Sequence, residues 1–430
     1  MTDEPLRIGI AGLGTVGCGL LSLLEQNRDI IETRARRRLE VVAISARNRD
    51  RARPIDISSY AWEDDPIALA RHPDIDLVLE LMGGSDGPAL ALTRACLEQG
   101  RALVTANKAL LAHHGNELVA LAEKHSAPLR FEAAIAGGIP VVSGIRTGLA
   151  GNRISAVYGV LNGTCNYILT KMEQEGLPFD VVLGEAQREG YAEADPSFDI
   201  DGVDAAHKLS LLAALCFDSF VDFANVATEG IREISSTDIS YAQDLDHRIR
   251  LIGLARLEDG KLFQRVHPCL VPASHPLAHV HDTLNAVVVE GNHVGPVLLQ
   301  GYGAGAKPTA SAVISDVITI ARGAGGAMLS SPAKNLRVLE DAPQADHIGR
   351  YYIRMMVADR SGVLAEVTSI LGDEGVSVES LLQKGLSEDQ KAHLVLTTHA
   401  TRQDAIDRAL TRFKMLDSMV GQPVMMHILD

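Results

Sequence analysis

Cysteine is scarce in this chain of 430 residues. Five occur, at Cys18, Cys96, Cys165, Cys216 and Cys269, an odd number with no Cys-x-x-Cys pair. That scatter supports neither a disulfide framework nor a zinc site and fits a reducing compartment. Positive charge is also in deficit: Lys and Arg number 40 against 55 Asp and Glu, a formal net charge of −15. So acidic a chain repels a nucleic-acid backbone unless its basic residues are strongly segregated. No window approaches the roughly 20 apolar residues of a membrane-spanning helix. The opening MTDEPLRIGIAGLG is acidic where an export signal is basic. Tandem repeats and low-complexity tracts are lacking too. The expectation is a cytoplasmic protein with no nucleic-acid and no membrane partner.

What is present is an ordinary globular composition, 46% apolar and 22% charged, over a length that suits about three domains. Residues 1–140 alternate short β-branched runs with helical patterns: LRIGIAGLG, LEVVAIS, IDLVLELMGG, RALVTAN and PLRFEAAIAGG read as strands, and 88–100 as a crossover helix. Such alternation predicts a Rossmann-type, doubly wound parallel α/β sheet. From 141 to 330 the pattern becomes α+β, a substrate and dimerisation domain. Helical stretches at 166–190 and 203–217 precede the strand-like FQRVHPCLV, LNAVVVEG and VLLQGYGAG. The run PTASAVISDVITIAR, with Pro308 at a first helical position, reads as a helix near 308–330 that returns the chain to the first domain. Residues 331–348 read as a polar linker, and 349–430 as a ferredoxin-like strand-helix-strand-strand-helix-strand module.

Gly12-Leu13-Gly14-Thr15-Val16-Gly17 follows the first strand and opens a helix, the position a dinucleotide fingerprint requires. The first glycine permits the turn, the second lets the backbone approach a pyrophosphate, and the third allows close helix packing. After the second strand the fingerprint expects a carboxylate for NAD. Here Ser45-Ala46-Arg47-Asn48-Arg49 offers Arg47 for a 2′-phosphate, which favours NADP, with NAD possible and a solvated basic turn as the alternative.

The stretch from Gly190 to Lys208, GYAEADPSFDIDGVDAAHK, crowds carboxylates before an apolar helix. Asp204 and Lys208, four apart, share one helical face. A solvated ion pair is the bland alternative, but Leu209, Leu211, Leu212 and Leu215 lie beside the pair, with Glu193 and Asp199 nearby. A lysine held by carboxylates in a cleft polarises a carbonyl and relays a proton. Lys108, in VTANK, falls where a parallel strand ends, the place ligands bind in such sheets. Asn162, Gly163 and Thr164 form a strand-to-helix junction that presents backbone amides to a carboxylate. Two rival functions are a Cys165-dependent aldehyde dehydrogenase, for which no partner histidine is evident, and a non-catalytic nucleotide-bound amino-acid sensor.

Through GLGTVG, TANK, EAAIAGGIP, LNGTCNYIL, GYAEADPSFDIDGVDAAHKL and GYGAGAKPTASAV the chain resembles homoserine dehydrogenases that carry a C-terminal ACT domain. The resemblance implies NAD(P)-dependent interconversion of L-homoserine and L-aspartate 4-semialdehyde in threonine and methionine biosynthesis. It implies Lys208 as proton donor, Lys108 as second catalytic lysine, and Glu193 and Asp204 as substrate ligands with Asp199 in the same acidic set. It implies cofactor contacts at Thr15, Val16, Gly190 and Gly305, and a structural sodium ion at Glu132, Ile135, Gly137 and Ile139. The DRSGVLAEV segment from Asp359 to Val367 resembles the ACT signature, which implies an amino-acid effector, L-threonine being the natural choice, or pairing of subunits alone. A homodimer or homotetramer is expected.

Overall fold

The structure is a computed structural model that describes residues 4–323, 326–384 and 391–429. Its first sheet is wholly parallel, with strands β1 (Leu6–Ala11), β2 (Leu39–Ser45), β3 (Ala61–Glu63), β4 (Leu77–Glu80), β5 (Ala102–Thr105) and β6 (Leu129–Arg130) in the order β3-β2-β1-β4-β5-β6. Strands covered on both faces need apolar side chains in succession, and Leu77, Val78, Leu79, Leu103 and Val104 are all fully buried. The order reverses direction between β1 and β4, so the crevice beyond their carboxyl ends is the ligand position of this architecture. The helix Ala306–Ala321 returns to pack Ala310, Val313 and Val317 into the core that holds Ile10, Leu20 and Leu79.

Two local readings are corrected. In PLRFEAAIAGG only Leu129–Arg130 is strand, and Glu132–Ala136 is helical. Both carboxylate oxygens of Glu132 accept from the amides of Val142 and Ser143 at 2.8 Å, which ties this turn to the next helix instead of to a sheet. The 166–190 stretch is two helices, Gly163–Glu175 and Phe179–Glu189, separated at Gly176, whose φ of +68° closes the first, and at Pro178.

The second sheet is mixed, and its described strands number eleven: β7 (Ile154–Val160), β8 (Ala227–Thr228), β9 (His247–Glu258), β10 (Lys261–Pro272), β11 (Leu284–Gly291), β12 (Gly295–Tyr302), β13 (Ile348–Ala358), β14 (Val378–Lys384), β15 (Lys391–Thr398), β16 (Thr401–Arg402) and β17 (Val424–Ile428). The main path runs β12-β11-β7-β9-β10-β17-β13-β15-β14. The last four have the ferredoxin-like arrangement, with the helices Val363–Asp373 and Gln403–Phe413 packed on them. The helix Val203–Phe217 is buried from Asp204 to its end, its leucines and alanines on every face and Asp204, His207 and Lys208 confined to its first half.

The C-terminal module is not tethered loosely. Cys269 and Leu270 of β10 pair in parallel with His427 and Ile428 of β17, fusing two sheets. Residues 331–347 lie along the middle part of the chain: Arg337 N donates to Asp218 O at 2.9 Å and Leu262 N to Glu340 O at 2.8 Å. Among the described residues no helix is long and apolar enough to cross a membrane.

Candidate active site

The Gly12–Gly17 turn leaves β1 at the crevice. Gly12 has φ +107°, and a Cβ there would lie 2.5 Å from Leu81 O, while a Cβ at Gly17 would strike the carbonyl of Gly12. At Gly14 a Cβ would meet nothing within 4 Å, so the backbone is open to a ligand. Gly14 also caps the Thr15–Gln26 helix without a side-chain hydrogen bond, which leaves that helix end to attract an anion. From this turn a groove of about 770 Å³ runs past Ala46, Arg47 and Asn48 to Met82 and Gly83. Arg47 is exposed on its wall, whereas Arg53 folds back onto the carbonyls of Asn48, Arg49 and Arg51 at 2.6–3.0 Å and shapes the turn.

Leu81 and Met82 line both this groove and a second hollow of about 560 Å³, so the two form one cleft. The second hollow is floored by charge. Asp204 accepts from Lys208 Nζ at 2.7 Å through Oδ2 and pairs with Lys108 Nζ at 2.9 Å through Oδ1. Lys208 Nζ also donates to Leu161 O at 2.7 Å. Asn162 Nδ2 donates to Asp199 at 2.8 Å and Asp204 at 2.9 Å.

Each group arrives on the end of a regular element. Lys108 opens the helix Lys108–Lys124, and the preceding Asn107 caps it by accepting from Leu110 N at 3.1 Å and donates to Gly84 O at 2.7 Å. Asn162 caps the helix Gly163–Glu175 by accepting from Cys165 N at 2.8 Å, so one amide both starts a helix and orients two carboxylates. Asp204 lies in the first turn of its helix, where the macrodipole favours an anion, and Lys208 one turn on.

Burial decides the electrostatics. The side chains of Asp204 and Lys208 are 5% and 8% exposed, that of Lys108 32%. Burial pushes the Asp204 carboxyl up, but the two ammonium groups outweigh it and hold the group well below the ordinary carboxylate range. Lys208 is shifted downward by burial and by repulsion from Lys108, against the pull of Asp204. Lys108 is shifted upward, chiefly by Asp204. Asp199 is raised by burial and by the neighbouring Asp204 charge. The site therefore pairs one lysine disposed to release its proton with one disposed to keep it.

The second hollow gathers Val16, Lys108, Asn162, Gly163, Thr164, Gly190, Asp199, Asp204, Lys208 and Gly305, and the groove gathers Gly12, Leu13, Gly14 and Arg47. Thr15 faces an adjoining hollow with Arg51 and Lys307, and Gly17 lines none of these, its place being the close packing just described. Glu193 lies outside the cleft lining: it is exposed two residues beyond Tyr191, as a carboxylate with no ion pair among the described residues remains in water. Cys165 is fully buried and donates to Asp199 O at 3.2 Å, and burial followed by the nearby carboxylates pushes its thiol well up, the reverse of an activated nucleophile. Glu132, Ile135, Gly137 and Ile139 are all buried on one turn beside Gly303. Each Glu132 carboxylate oxygen accepts one amide and keeps a further lone pair, so the carboxylate and the main-chain carbonyls are both available to a cation there. No cluster of three metal-binding side chains occurs among the described residues.

Two buried groups escaped the sequence reading. Asn285 donates to Leu161 O at 2.8 Å, the same carbonyl that holds Lys208, and an amide side chain near the start of the largely apolar LNAVVVEG was its only signal. Glu80, at the end of β4, accepts from Met82 N at 2.8 Å and Thr105 Oγ1 at 2.6 Å, and burial raises its carboxyl to about 7. It joins the tips of β4 and β5 beneath the cleft.

Family models described as homoserine dehydrogenase, NAD binding domain, as homoserine dehydrogenase and as ACT domain match residues 12–132, 140–318 and 351–416. The homoserine dehydrogenase of Neisseria gonorrhoeae is 41% identical over 429 residues, covering 98% of each chain. The crystal structure of a homoserine dehydrogenase from Thiobacillus denitrificans superposes with a TM-score of 0.94 at 39% identity, covering 100% of this chain and 99% of that one. A hyperthermophilic archaeal homoserine dehydrogenase in complex with NADPH superposes with a TM-score of 0.63 at 28% identity, covering 74% of this chain and 97% of that one.

Proposed function

The chain belongs to the homoserine dehydrogenase family, NAD(P)-dependent oxidoreductases, and from that premise we propose the roles of its residues, its cofactor and its effector. The observation that carries the reading is Asp204 held between Lys208 and Lys108 on the floor of a cleft continuous with the nucleotide groove. The open backbone at Gly14 and the uncapped helix end fit a dinucleotide pyrophosphate. When bound, the nicotinamide supplies the hydride to C4 of the semialdehyde, or takes it from homoserine. Lys208 gives its proton to the developing alkoxide: two of its three N–H groups are fixed by Leu161 O and Asp204, and the third is assigned to the substrate oxygen. Asp204 keeps both ammonium groups in place, and Lys108 adds positive charge as the oxyanion forms. Asp199 takes the substrate ammonium, and the exposed Glu193, two residues beyond the cleft-lining Tyr191, is assigned to the same group as a second carboxylate. The amides of Gly163 and Thr164 take its carboxylate.

Arg47 at the end of β2 supports a preference for NADP over NAD, as does the NADPH complex of the archaeal relative. The carbonyls around Glu132, Ile135, Gly137 and Ile139 suit a monovalent cation such as sodium, with a structural role. The ACT domain supports an amino-acid effector, for which we assign L-threonine. A mechanical link exists for it: Arg354 Nε and Tyr352 Oη of β13 donate to the fully buried Asp238 at 2.6 and 3.2 Å. Asp238 sits on the helix Ser236–Asp244, which packs on the Gly163–Glu175 helix capped by Asn162. Initial rates with L-homoserine and each nucleotide, with and without L-threonine, test the turnover, the nucleotide preference and the effector. Turnover with NADP favoured and threonine inhibitory is the expected result. No turnover overturns the mechanism, and turnover indifferent to threonine overturns the effector alone.

A further inference from the structure

A separate hollow of about 420 Å³ lies at the seam where β10 meets β17, sharing no lining residue with the cleft. Alternation along β10 builds it: Leu262, Val266 and Leu270 pack into the main core, so Phe263, Arg265 and His267 face the opposite side. His427 of β17 and His347 complete the wall, and the carboxylates Glu258 and Glu290 lie on the same lining. The rings of His267 and His427 lie 4.5 Å apart and those of His347 and His427 5.5 Å apart. His267 is 4% exposed, and its Nδ1 has no hydrogen-bond partner among the described residues.

The two guanidinium groups of the hollow differ. Arg256 is paired with Glu258 at 2.5 Å. Arg265 is held by neutral groups: Gln344 Oε1 at 2.7 Å, Gln403 Oε1 at 3.3 Å and the His427 ring. An imidazole that accepts from an arginine is itself uncharged. Burial, then Arg265 and His347, hold the His267 imidazole well below its ordinary range, and burial, then His267, Arg265 and His347, do so at His427. Glu229 and Asp407 act on the Arg265 guanidinium only through space, while its hydrogen bonds among the described residues all go to amides and a neutral ring, so an anion entering the hollow supplies the direct charge pairing it lacks.

We propose that this seam binds a small oxyanion, with the Arg265 guanidinium supplying the charge and the orphaned Nδ1 of His267 a hydrogen bond. The carboxylate of a free amino acid and inorganic phosphate share the required chemistry. Arg265 and His267 belong to the catalytic sheet, and His427 and Gln403 to the C-terminal module, so a bound anion ties the two together. The site is independent of the threonine assignment.

The test is isothermal titration calorimetry on the full chain at neutral pH with inorganic phosphate and, separately, with L-threonine. Gln344→Glu keeps the side-chain shape and places a carboxylate on Arg265 within the chain. It is expected to weaken binding at least about tenfold, roughly 1.4 kcal/mol, with kcat in the absence of the probe unchanged. Arg265→Met should do the same. Phosphate binding that both variants weaken establishes a phosphate-type site, and threonine binding that both weaken makes the seam the seat of an amino-acid carboxylate. The proposal is overturned if neither probe binds, or if binding survives both substitutions. Threonine inhibition that persists undiminished in Gln344→Glu, with no phosphate bound by the unsubstituted chain, leaves the effector assignment standing and removes this one.

Discussion

The two halves of the cleft are made of different material. The nucleotide half is backbone: a turn at positive φ, two glycines pressed against carbonyls and an uncapped helix end. The substrate half is side-chain charge brought from three helices, with Asp204 joining Lys108 and Lys208 and Asn162 bracing the carboxylates. A backbone site tolerates no added atom but is indifferent to most side chains. A charge cluster tolerates changes of shape but not of protonation.

The largest effect that separates the halves is expected at Lys208. Lys208→Ala should lower kcat by about 10²–10⁴-fold, with a smaller change in KM for the nucleotide, as loss of a general acid does. Steady-state rates with both substrates varied check this, and near-normal kcat in a folded variant would falsify the proton-donor role. Because the Lys208 ammonium is shifted downward, reduction should decline on the alkaline side earlier than an ordinary lysine allows, as the protonated donor is lost.

Next comes the buried joint between the halves. Asp316 of the Ala306–Ala321 helix accepts from Glu132 N at 2.7 Å, and burial, with repulsion from Glu132, raises its carboxyl to about 7. The folded state then holds this proton to higher pH than the unfolded chain, so the stability it contributes is fully present below the ordinary carboxylate range and is lost as pH rises toward 7. The loss is on the order of 2–4 kcal/mol. Asp316→Asn should flatten that slope in denaturant unfolding measured between pH 5 and 8, and an unchanged slope contradicts the assignment.

Gly12→Ala adds one methyl group 2.5 Å from Leu81 O at a backbone angle alanine rarely adopts. It should raise KM for the nucleotide by about 10–100-fold, consistent with 1–3 kcal/mol of local strain, while disturbing the lysine cluster less. The smallest effect is expected at the exposed rim, where Arg47→Ala should shift the kcat/KM ratio of NADP to NAD by about tenfold toward NAD, the scale of one charge-assisted contact. A ratio that does not move removes Arg47 as the phosphate ligand.

The nucleotide half was legible because its signal is local. Glycines at fixed offsets after an apolar run dictate a turn and a helix start with no knowledge of the remaining chain. The lysine pair was legible in part, since four-residue spacing puts Asp204 and Lys208 on one face, but the meeting with Lys108 spans nearly a hundred residues and leaves no trace in local pattern. Strand β9 went unread because Arg248, Arg250 and Arg256 interrupt its apolar alternation. Arg250 is nonetheless fully buried, its charge met by Glu173 at 2.9 Å from the Gly163–Glu175 helix. Residues 331–348 read as a linker because polarity and two prolines, Pro332 and Pro343, were the cues. Their backbone is held by Asp218 and Leu262, partners that composition does not reveal.

The sequence by itself determined the parallel nucleotide-binding sheet, the ferredoxin-like module and the list of groups able to do chemistry, because periodicity, glycine spacing and the rules of helix starts act over a few residues. Only the tertiary structure decided that Asp204 has two ammonium partners, that Glu193 stands apart from the cleft, and that β17 adds itself to β10 to fuse two sheets. Those outcomes rest on burial and on hydrogen bonds between segments distant in the chain, which set the free energy of a charge or a strand edge only once the chain has folded around it.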